Sequence, residues 1–337
     1  MIVLGIESSC DECAAGLVVD GKTILSNVVY SQLKEHAPFY GVVPEIASRR
    51  HIESISDVVS RALQEADHDL SSVDGIAVTC RPGLIGSLLV GLSFAKGLAL
   101  ALDRPYVGVD HILAHLYAPH LETDIEYPYL GLLVSGGHTM IARVKAYDRI
   151  EILGTTIDDA CGEAFDKVAK FYDLGYPGGV AIDKLAQKGD PEAFSFPRPS
   201  LHKGDHRFDV SYSGLKTAVI HQLEQFHNPE LPATRENIAA AFQQTAIDIL
   251  VDRVLRASRD TGLRRIVAGG GVAANSYLRS RLAEEKGLEV IFPSLSLCTD
   301  NAVMIAGLGY QLLAAGKRSS FDLNAQARVP GFRRTYP

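Results

Sequence analysis

The sequence predicts an α/β chain that folds as two similar lobes. Short apolar runs rich in β-branched residues alternate with longer helical patterns, which is typical of α/β proteins. A strand–turn–strand pattern occurs twice, at 3–19 and 131–144, and indicates an internal duplication. The length of 337 residues also exceeds what one hydrophobic core usually supports. We therefore expect two copies of one fold with a ligand cleft between them.

The predicted elements follow this alternation along the chain. Apolar runs predict strands at 2–6, 15–19, 75–79, 106–109, 129–134, 140–144, 265–268 and 289–292. Helical periodicity predicts helices at 48–66, 84–102, 111–118, 158–172, 182–187, 213–225, 235–261, 276–285 and 301–315. We expect an N-terminal lobe at 1–108, joined by the tail at about 310–337, and a C-terminal lobe at 109–309.

Composition and charge exclude several classes of protein. The net charge of −7 argues against a chain that binds nucleic acid over its whole surface. Basic stretches at 49–51, 253–265 and 328–334 are explained equally well by solvated helix faces and by phosphate contacts. Five scattered cysteines do not form a disulfide scaffold, which fits a reducing cytoplasm.

Two observations argue against export and against a membrane span. The N-terminus lacks the positive region and cleavage site of a signal peptide. The most apolar window, 84–102, contains Lys96 and many small residues. We expect it to form a buried helix of a cytoplasmic protein.

Two histidines four residues apart form a candidate metal site. His111 and His115 lie on one face of a predicted helix, with Cβ atoms roughly 5–6 Å apart, and imidazole is a common ligand of divalent metals. Asp300 is a candidate third ligand, although helix capping explains it too. A zincin protease would require a glutamate after the first histidine, where this chain has Ile112. Two unrelated histidines on one helix remain at least as good an explanation.

Two glycine-rich turns are candidate sites for an anion or a nucleotide. The turn at 135–138 follows a strand, so successive backbone N–H groups can converge on an anion, although a plain hairpin turn explains it as well. The loop at 269–275 joins a strand to a helix, where a nucleotide can lie at the helix N-terminus. Its spacing matches neither a Rossmann site nor a P-loop.

Several acidic residues are candidates for chemistry. Asp11 and Glu12 lie at the tip of the first predicted hairpin, where they can serve as a base or as orienting carboxylates. Acids at 158–166 open a predicted helix. The helix dipole explains the first two well, but it explains Glu163 and Asp166 less well because they lie beyond the first turn. The turn at 176–179 leads to a helix with Asp183, which can approach a ribose. We interpret the lone Cys-x-x-Cys at 10–13 as structural.

Taken together, these motifs closely resemble the bacterial TsaD family of tRNA threonylcarbamoyladenosine transferases, from about residue 2 to about residue 310. The motifs that carry the resemblance lie at 5–12, 41–49, 111–115, 134–139, 158–167, 176–179, 213–217, 270–275 and 298–301. The resemblance implies a duplicated two-lobe fold of the actin, hexokinase and heat-shock ATPase type with a central nucleotide cleft. It also implies transfer of a threonylcarbamoyl group from threonylcarbamoyl-adenylate to the exocyclic amine of the adenosine beside the anticodon, in tRNAs that read codons starting with A.

The resemblance also implies site residues, a metal and partners. His111, His115 and Asp300 correspond to ligands of one iron or zinc ion, and Asp11 and Glu12 to acids of the catalytic cleft. The positions expected to contact substrate are Leu133, Val134, Ser135, Gly136, Gly137, His138, Asp166, Gly179, Asp183 and Asn275. The implied partners are tRNA, the paralogous subunit TsaB and the ATPase TsaE. We expect neither NAD nor pyridoxal phosphate.

The chain departs from the common family pattern without losing a proposed metal ligand. Ser8 and Cys13 stand where threonine is usual, Cys161 where alanine or serine is usual, and Tyr40 where glycine is frequent. Two alternative functions remain open at this stage. A metalloprotease would use the histidine pair, and a small-molecule kinase of the same fold would hold magnesium with carboxylates.

Overall fold

The computed structural model describes residues 1–199, 201, 206–226, 228, 230 and 234–329. This part of the chain forms two compact units, one of residues 1–126 and 293–329 and the other of residues 127–292. The boundaries between the units fall after residues 126 and 292, whereas we expected boundaries after residues 108 and 309. The segment from 109 belongs to the first unit because strand Tyr106–Asp110 pairs within its sheet. Residues 293–309 belong there because helix Ala302–Ala314 packs on that sheet.

The first unit is built on a five-stranded mixed sheet within the described residues. Its strands are β1 (Ile2–Glu7), β2 (Glu12–Val19), β3 (Thr23–Ser31), β4 (Gly75–Arg81) and β5 (Tyr106–Asp110), in the order β3-β2-β1-β4-β5. The pairs β1–β2 and β2–β3 are antiparallel, whereas β1–β4 and β4–β5 are parallel. Its helices are α1 (Leu33–His36), α2 (Pro44–Glu65), α3 (Ile85–Leu102), α4 (His111–Tyr117), α11 (Leu295–Cys298) and α12 (Ala302–Ala314).

The two faces of β1 pack against different helices because successive side chains of a strand point to opposite sides. Leu4 and Ile6 are wholly buried in a core that includes residues of α2 and α3. Gly5 faces α12, and its backbone lies so close that a Cβ atom there would sit 2.2 Å from the carbonyl oxygen of Ala302. A glycine is therefore required where β1 and α12 touch.

The second unit repeats the strand order of the first. Its strands are β6 (Tyr129–Val134), β7 (Thr139–Ala146), β8 (Arg149–Thr155), β9 (Arg265–Gly269) and β10 (Glu289–Ile291), in the order β10-β9-β6-β7-β8. Its helices are α5 (Cys161–Phe171), α6 (Gly178–Ala186), α7 (Ser213–Ile220), α8 (Leu223–Phe226), α9 (Thr234–Thr261) and α10 (Ser276–Ala283). In both sheets an antiparallel hairpin supplies the central strand and a parallel strand pairs with its other edge. The hairpins β1–β2 and β6–β7 are the two copies of the predicted repeat.

Sequence patterns missed the edge strands β3 and β8. Both carry many polar residues, and only part of each strand is buried. They had no prediction because an edge strand needs no continuous apolar run. The helix predicted at 213–225 is divided into α7 and α8, and α6 begins at Gly178 rather than at 182.

Helix α3 is long and apolar enough to cross a membrane by length and composition. About a third of its residues are buried inside the protein. One such helix is weak evidence for a span, because core helices of soluble proteins pass the same test. We expected α3 to be a buried helix, and this holds for one face only. Leu88, Leu92 and Ala95 pack in the core, whereas Ile85 and Leu89 are exposed.

Candidate metal centre

His111 and His115 lie on one face of α4, as their spacing predicts. Their rings meet edge to face with centroids 4.6 Å apart, and both side chains are buried. Asp110 begins the helix, where its carboxylate accepts hydrogen bonds from the backbone N–H groups of Ile112 at 3.0 Å and Leu113 at 3.2 Å. This N-cap fixes the start of a helix of only seven residues.

Asp300 reaches the histidine pair from a loop just before α12. Its Oδ1 atom lies 3.0 Å from Nε2 of His115 and 3.5 Å from Nε2 of His111. The capping alternative does not hold, because Asn301 is the N-cap of α12 and accepts a hydrogen bond from the N–H of Met304 at 2.9 Å. The carboxylate of Asp300 is therefore directed at the histidines.

The three side chains fit a divalent metal by the chemistry of their donor atoms. One potential ligand atom from each of His111, His115 and Asp300 lies within 4.8 Å of the others. Two imidazoles and one carboxylate are a donor set that would suit an iron or zinc ion. The Asp300 side chain is 19% exposed, so the cluster is accessible from one side.

A fourth buried residue, Glu7, supports this cluster from the end of β1. Its side chain is wholly buried and accepts hydrogen bonds from the N–H of Ser9 at 2.5 Å, from the hydroxyl of Thr79 at 2.5 Å and from Nδ1 of His111 at 3.0 Å. Sequence reasoning assigned Glu7 no role. The signal was an acid placed directly after the predicted strand at 2–6, a residue type almost never fully buried unless paired.

These buried groups shift one another's protonation. Burial raises the pKa of the Glu7 carboxyl, but the charge and hydrogen bond of His111 outweigh it, so its pKa lies below the ordinary value. Burial lowers the pKa of His111, but attraction to Asp300 and Glu7 prevails and raises it to about 9. The pKa of His115 lies below its usual value because burial and repulsion from His111 outweigh its contact with Asp300.

The predicted acids Asp11 and Glu12 lie where the first hairpin turns into β2. Asp11 is buried, and its backbone carbonyl accepts a hydrogen bond from the N–H of Gln32 at 3.1 Å. Two further contacts hold the turn in place, from Nε2 of His51 to the carbonyl of Cys10 at 2.9 Å and from the N–H of Leu84 to the carbonyl of Ser9 at 2.8 Å. The carboxylates therefore project from a fixed backbone.

Glu12 differs from Asp11 in its environment. Burial raises the pKa of Glu12 well above its ordinary value, and repulsion from Asp11 and Asp300 adds to the effect. A hydrogen bond from the hydroxyl of Ser31 at 3.2 Å opposes it without cancelling it. In the protein without metal, Glu12 therefore retains its proton to a higher pH than an ordinary glutamate.

The cysteines near these motifs are free and poorly ionised. Burial raises the pKa of the Cys10 thiol well above its usual value, that of Cys13 to about 11 and that of Cys161 to about 12. Because the thiolate is the reactive form, the raised pKa values disfavour reaction of these thiols at neutral pH.

The glycine turn at 135–138 lies in the second unit as a tight hairpin between β6 and β7. The N–H of Ser135 donates to the carbonyl of His138 at 2.8 Å, and the N–H of His138 donates to the hydroxyl of Ser135 at 3.0 Å. Gly136 and Gly137 at its tip are exposed. Leu133 and Val134 are buried strand residues whose backbones pair with β7 and, for Leu133, with β9.

The loop after β9 packs tightly against the end of β6. Gly270 has a φ of 92°, and a Cβ atom there would lie 2.4 Å from the carbonyl oxygen of Val134. Glycine is therefore required on both grounds. Asn275 ends this loop as the N-cap of α10, accepting from the N–H of Leu278 at 2.9 Å, while its amide donates to Gln243 at 2.9 Å.

The remaining predicted substrate residues connect α5, α6 and α10. Asp166 accepts a hydrogen bond from the N–H of Gly178 at 2.8 Å, beside Gly179 at the start of α6. Asp183 of α6 accepts from the hydroxyl of Ser276 at 2.6 Å, next to Asn275. The structure thus brings Asp183 and Asn275 together at one end of α10.

The acids before α5 do not open the helix as predicted, because α5 begins at Cys161. Asp158 instead accepts a hydrogen bond from the N–H of Tyr212 at 2.8 Å, and Asp159 pairs with Lys167 and Lys216, each at 2.6 Å. These contacts attach the loop before α5 to the segment around α7.

Comparison with known proteins identifies the family. The family model TsaD, described as tRNA N6-adenosine threonylcarbamoyltransferase, matches residues 23–307. The chain belongs to the TsaD family. Curated TsaD relatives with that name include a Treponema denticola protein, 64% identical over 332 residues and 98% of each chain. A Treponema pallidum relative is 55% identical over 332 residues, 98% of this chain and 94% of its own. The chain is therefore a transferase, and the kinase and protease alternatives are not favoured.

Solved structures of lower identity confirm the fold alone. Full-length HypF in its phosphate- and nucleotide-bound form matches with a TM-score of 0.61 at 16% identity, over 93% of this chain and 46% of that one. Component A of the (R)-2-hydroxyglutaryl-CoA dehydratase of Acidaminococcus fermentans matches with a TM-score of 0.56 at 16% identity, over 93% and 99%. The fold is thus of the actin, hexokinase and heat-shock ATPase type.

Proposed function

We propose that this TsaD-family chain transfers the threonylcarbamoyl group of threonylcarbamoyl-adenylate to N6 of the adenosine beside the anticodon, in tRNAs that read codons starting with A. N6 forms a bond to the carbamoyl carbon. The bond from that carbon to the phosphate oxygen of the adenylate breaks, and AMP leaves. One proton of the amine passes to a base of the protein.

The observation that carries this proposal is the convergence of His111, His115 and Asp300 in a chain of the TsaD family. We propose that these residues hold one iron or zinc ion. When bound, a divalent ion supplies Lewis acidity toward carbonyl and phosphoryl oxygens. The buried histidines would contribute imidazole nitrogens, deprotonated when the ion binds, and the partly exposed Asp300 would contribute a negative charge.

Asp11 is the residue that we propose as the proton acceptor. An exocyclic adenine amine is a poor nucleophile, so removal of its proton during attack lowers the barrier. Glu12 is less suited to this role because its raised pKa disfavours the ionised form. The backbone contacts of the turn at 8–11 hold the Cα atom of Asp11 in place, which favours its role as a general base.

The second unit supplies the groups that we propose for nucleotide binding. The exposed backbone at Gly136 and Gly137 offers N–H groups for the phosphate, since consecutive amides in a tight turn form an anion-binding concavity. Asp183 and Asn275, brought together at one end of α10, are the proposed ribose contacts, and Asp166 and Gly179 shape the adjoining start of α6. His138 and the buried Leu133 and Val134 hold this turn through the hairpin.

We further propose that the chain works in the cytoplasm with the paralogous subunit TsaB and the ATPase TsaE. An exposed apolar groove between α2 and α3 is the surface that we propose for a protein partner, because exposed apolar patches often mark protein interaction sites. Ile52 of α2 is 66% exposed and Leu89 of α3 is 42% exposed, and both line the groove. A partner subunit would also add surface for tRNA, which suits a chain of net charge −7.

Reconstitution tests this function. Threonine, bicarbonate, ATP, a tRNA transcript and the partner proteins are incubated with and without this chain, and threonylcarbamoyladenosine is measured by mass spectrometry. The proposal predicts modified tRNA only when the chain is present. Equal modification in its absence would overturn it.

A further inference from the structure

The two metal-ligating histidines differ in how their rings are held. Nδ1 of His111 lies 3.0 Å from Oε2 of Glu7 and 3.2 Å from the hydroxyl of Ser9. Nδ1 of His115 is buried and has no hydrogen-bond partner in the part of the chain that the structure describes. The protein therefore fixes one ring through its second nitrogen and leaves the other held by packing.

Glu7 is itself fixed by contacts from three separate elements. Its Oε1 atom accepts the N–H of Ser9 in the hairpin turn, and its Oε2 atom accepts the hydroxyl of Thr79 on β4 as well as Nδ1 of His111 on α4. The side chain is wholly buried, so it cannot exchange these partners for water without opening the unit. A buried carboxylate with every partner in place is held rigidly.

This contact determines which nitrogen of His111 faces the metal. A carboxylate only accepts hydrogen bonds, so Nδ1 must carry the proton and donate it to Glu7. In the neutral ring the lone pair is then on Nε2, the nitrogen that lies 3.5 Å from Oδ1 of Asp300. The negative charge of the carboxylate also increases the basicity of the ring as a ligand.

We propose that Glu7 is a positioning residue of the metal site: its carboxylate holds His111 with Nδ1 protonated and Nε2 directed at the ion. Glu7 acts through His111 and is not itself a ligand. This inference rests on the proposed metal site of the preceding section and adds to it a residue that sets metal affinity from behind the ligands.

Metal titration of the full chain tests this role without reference to activity. The protein is stripped with a chelator and titrated with Co²⁺, whose visible absorption reports ligand number and geometry. Glu7→Gln keeps the size of the side chain but removes its charge. The Kd for Co²⁺ is expected to rise about 10- to 100-fold, with a changed absorption spectrum. The full chain carrying Glu7→Gln is checked by thermal melting.

A matched control separates positioning from general destabilisation. Asp209 is another wholly buried carboxylate, in the second unit, and accepts the N–H of Thr155 at 2.8 Å. Asp209→Asn should leave the Kd for Co²⁺ unchanged even where it lowers the melting temperature. A folded Glu7→Gln protein with wild-type Kd and spectrum would overturn the proposal, as would equal weakening in both variants.

A measurement on the wild-type chain decides the matter if Glu7→Gln does not fold. Nitrogen-15 shifts of the histidine rings in the zinc-loaded protein, assigned by loss of signals in His111→Ala, report which nitrogen binds the metal. The proposal predicts Nε2 bound and Nδ1 protonated; coordination through Nδ1 overturns it. If the wild-type chain binds neither Co²⁺ nor Zn²⁺, the proposed metal site is overturned as well. If the wild-type chain binds Co²⁺ and Glu7→Gln binds it with the same Kd, only the inference about Glu7 is overturned.

Discussion

Oδ1 of Asp300 lies 3.0 Å from Nε2 of His115, although the two residues are 185 positions apart in the sequence. The contact exists because α12 packs on the sheet that also carries α4 at the end of β5. Asn301 caps α12, which leaves the carboxylate of Asp300 available to the histidine. All three residues of the candidate metal site therefore belong to the first unit.

Removal of the carboxylate at 300 should weaken metal binding. Asp300→Asn replaces a charged oxygen ligand with a neutral amide, so we expect at least a tenfold rise in the Kd for Zn²⁺, of the order seen when metal-site contacts are lost. Metal content is measured after dialysis against a weak chelator. Asp57→Asn, at an exposed position on α2, is the control and should retain wild-type content. Equal content in both variants would exclude Asp300 as a ligand.

A charge placed in the apolar groove should block partner binding. Ile52→Asp puts a carboxylate among apolar side chains, whereas Leu100→Asp changes a residue of α3 that is 73% exposed and does not line the groove. Burial of an unpaired charge in an interface is costly. We expect Ile52→Asp to weaken the complex with TsaB at least tenfold in calorimetry and Leu100→Asp to leave it unchanged. Equal affinity for both variants would place the interface elsewhere.

Two glycine substitutions should have opposite effects on stability. At Gly5 a Cβ atom would lie 2.2 Å from the carbonyl of Ala302 and 2.8 Å from the N–H of Ala306, so Gly5→Ala should destabilise by about 1–3 kcal/mol or more. Gly97 lies within α3 with nothing within 4 Å of its Cβ position. Gly97→Ala should stabilise the protein by about 0.8–1 kcal/mol through helix propensity. Urea denaturation measures both, and stabilisation by Gly5→Ala would contradict the packing of β1 on α12.

His120 should make stability fall in mild acid. Burial, aided by the charge of Lys22, lowers its pKa from 6.5 to about 4. Below pH 6.5 the unfolded chain therefore binds a proton that the folded protein does not accept, and stability is lost as the pH falls from 6.5 toward 4. The loss from this one group at pH 5 is on the order of 2 kcal/mol.

The test of His120 compares the change in stability with pH in two proteins. His120→Gln removes the titrating ring and its stacking on Tyr117, whose ring centroid lies 5.0 Å away. The stacking is lost at every pH, so only the difference between pH 7 and pH 5 reports the titration. We expect that difference to be smaller in the variant. An unchanged difference would show that His120 titrates normally in the folded protein.

The sequence predicted those parts of the site whose signal is local. The spacing of His111 and His115 is set by one helix, and the repeated hairpins are each contiguous, so both were predictable. Asp300 was a candidate from its place before a predicted helix, but helix capping explained it too, since only the packing of α12 brings it to the histidines. Glu7 was missed because its role arises from Thr79 and His111, which reach it from other elements.

The difference between local and distant signals also explains the errors in the predicted secondary structure. Strands β3 and β8 lie at sheet edges, where polar residues are tolerated, and they lack the apolar runs that reveal a central strand. The helix expected from Asp158 begins at Cys161, because Asp158 is engaged by the N–H of Tyr212 more than fifty residues later. Local patterns carry no information about such distant partners.

Single-turnover transfer from preformed threonylcarbamoyl-adenylate to tRNA tests the central claim most directly. The wild-type chain with its partners should form threonylcarbamoyladenosine and AMP in equal amounts. Asp11→Asn should still bind the adenylate but form the modified nucleoside at least a hundredfold more slowly, because a general base contributes about 10²–10⁴-fold. Release of AMP without modified tRNA in the wild type, or an undiminished rate in Asp11→Asn, would contradict the account.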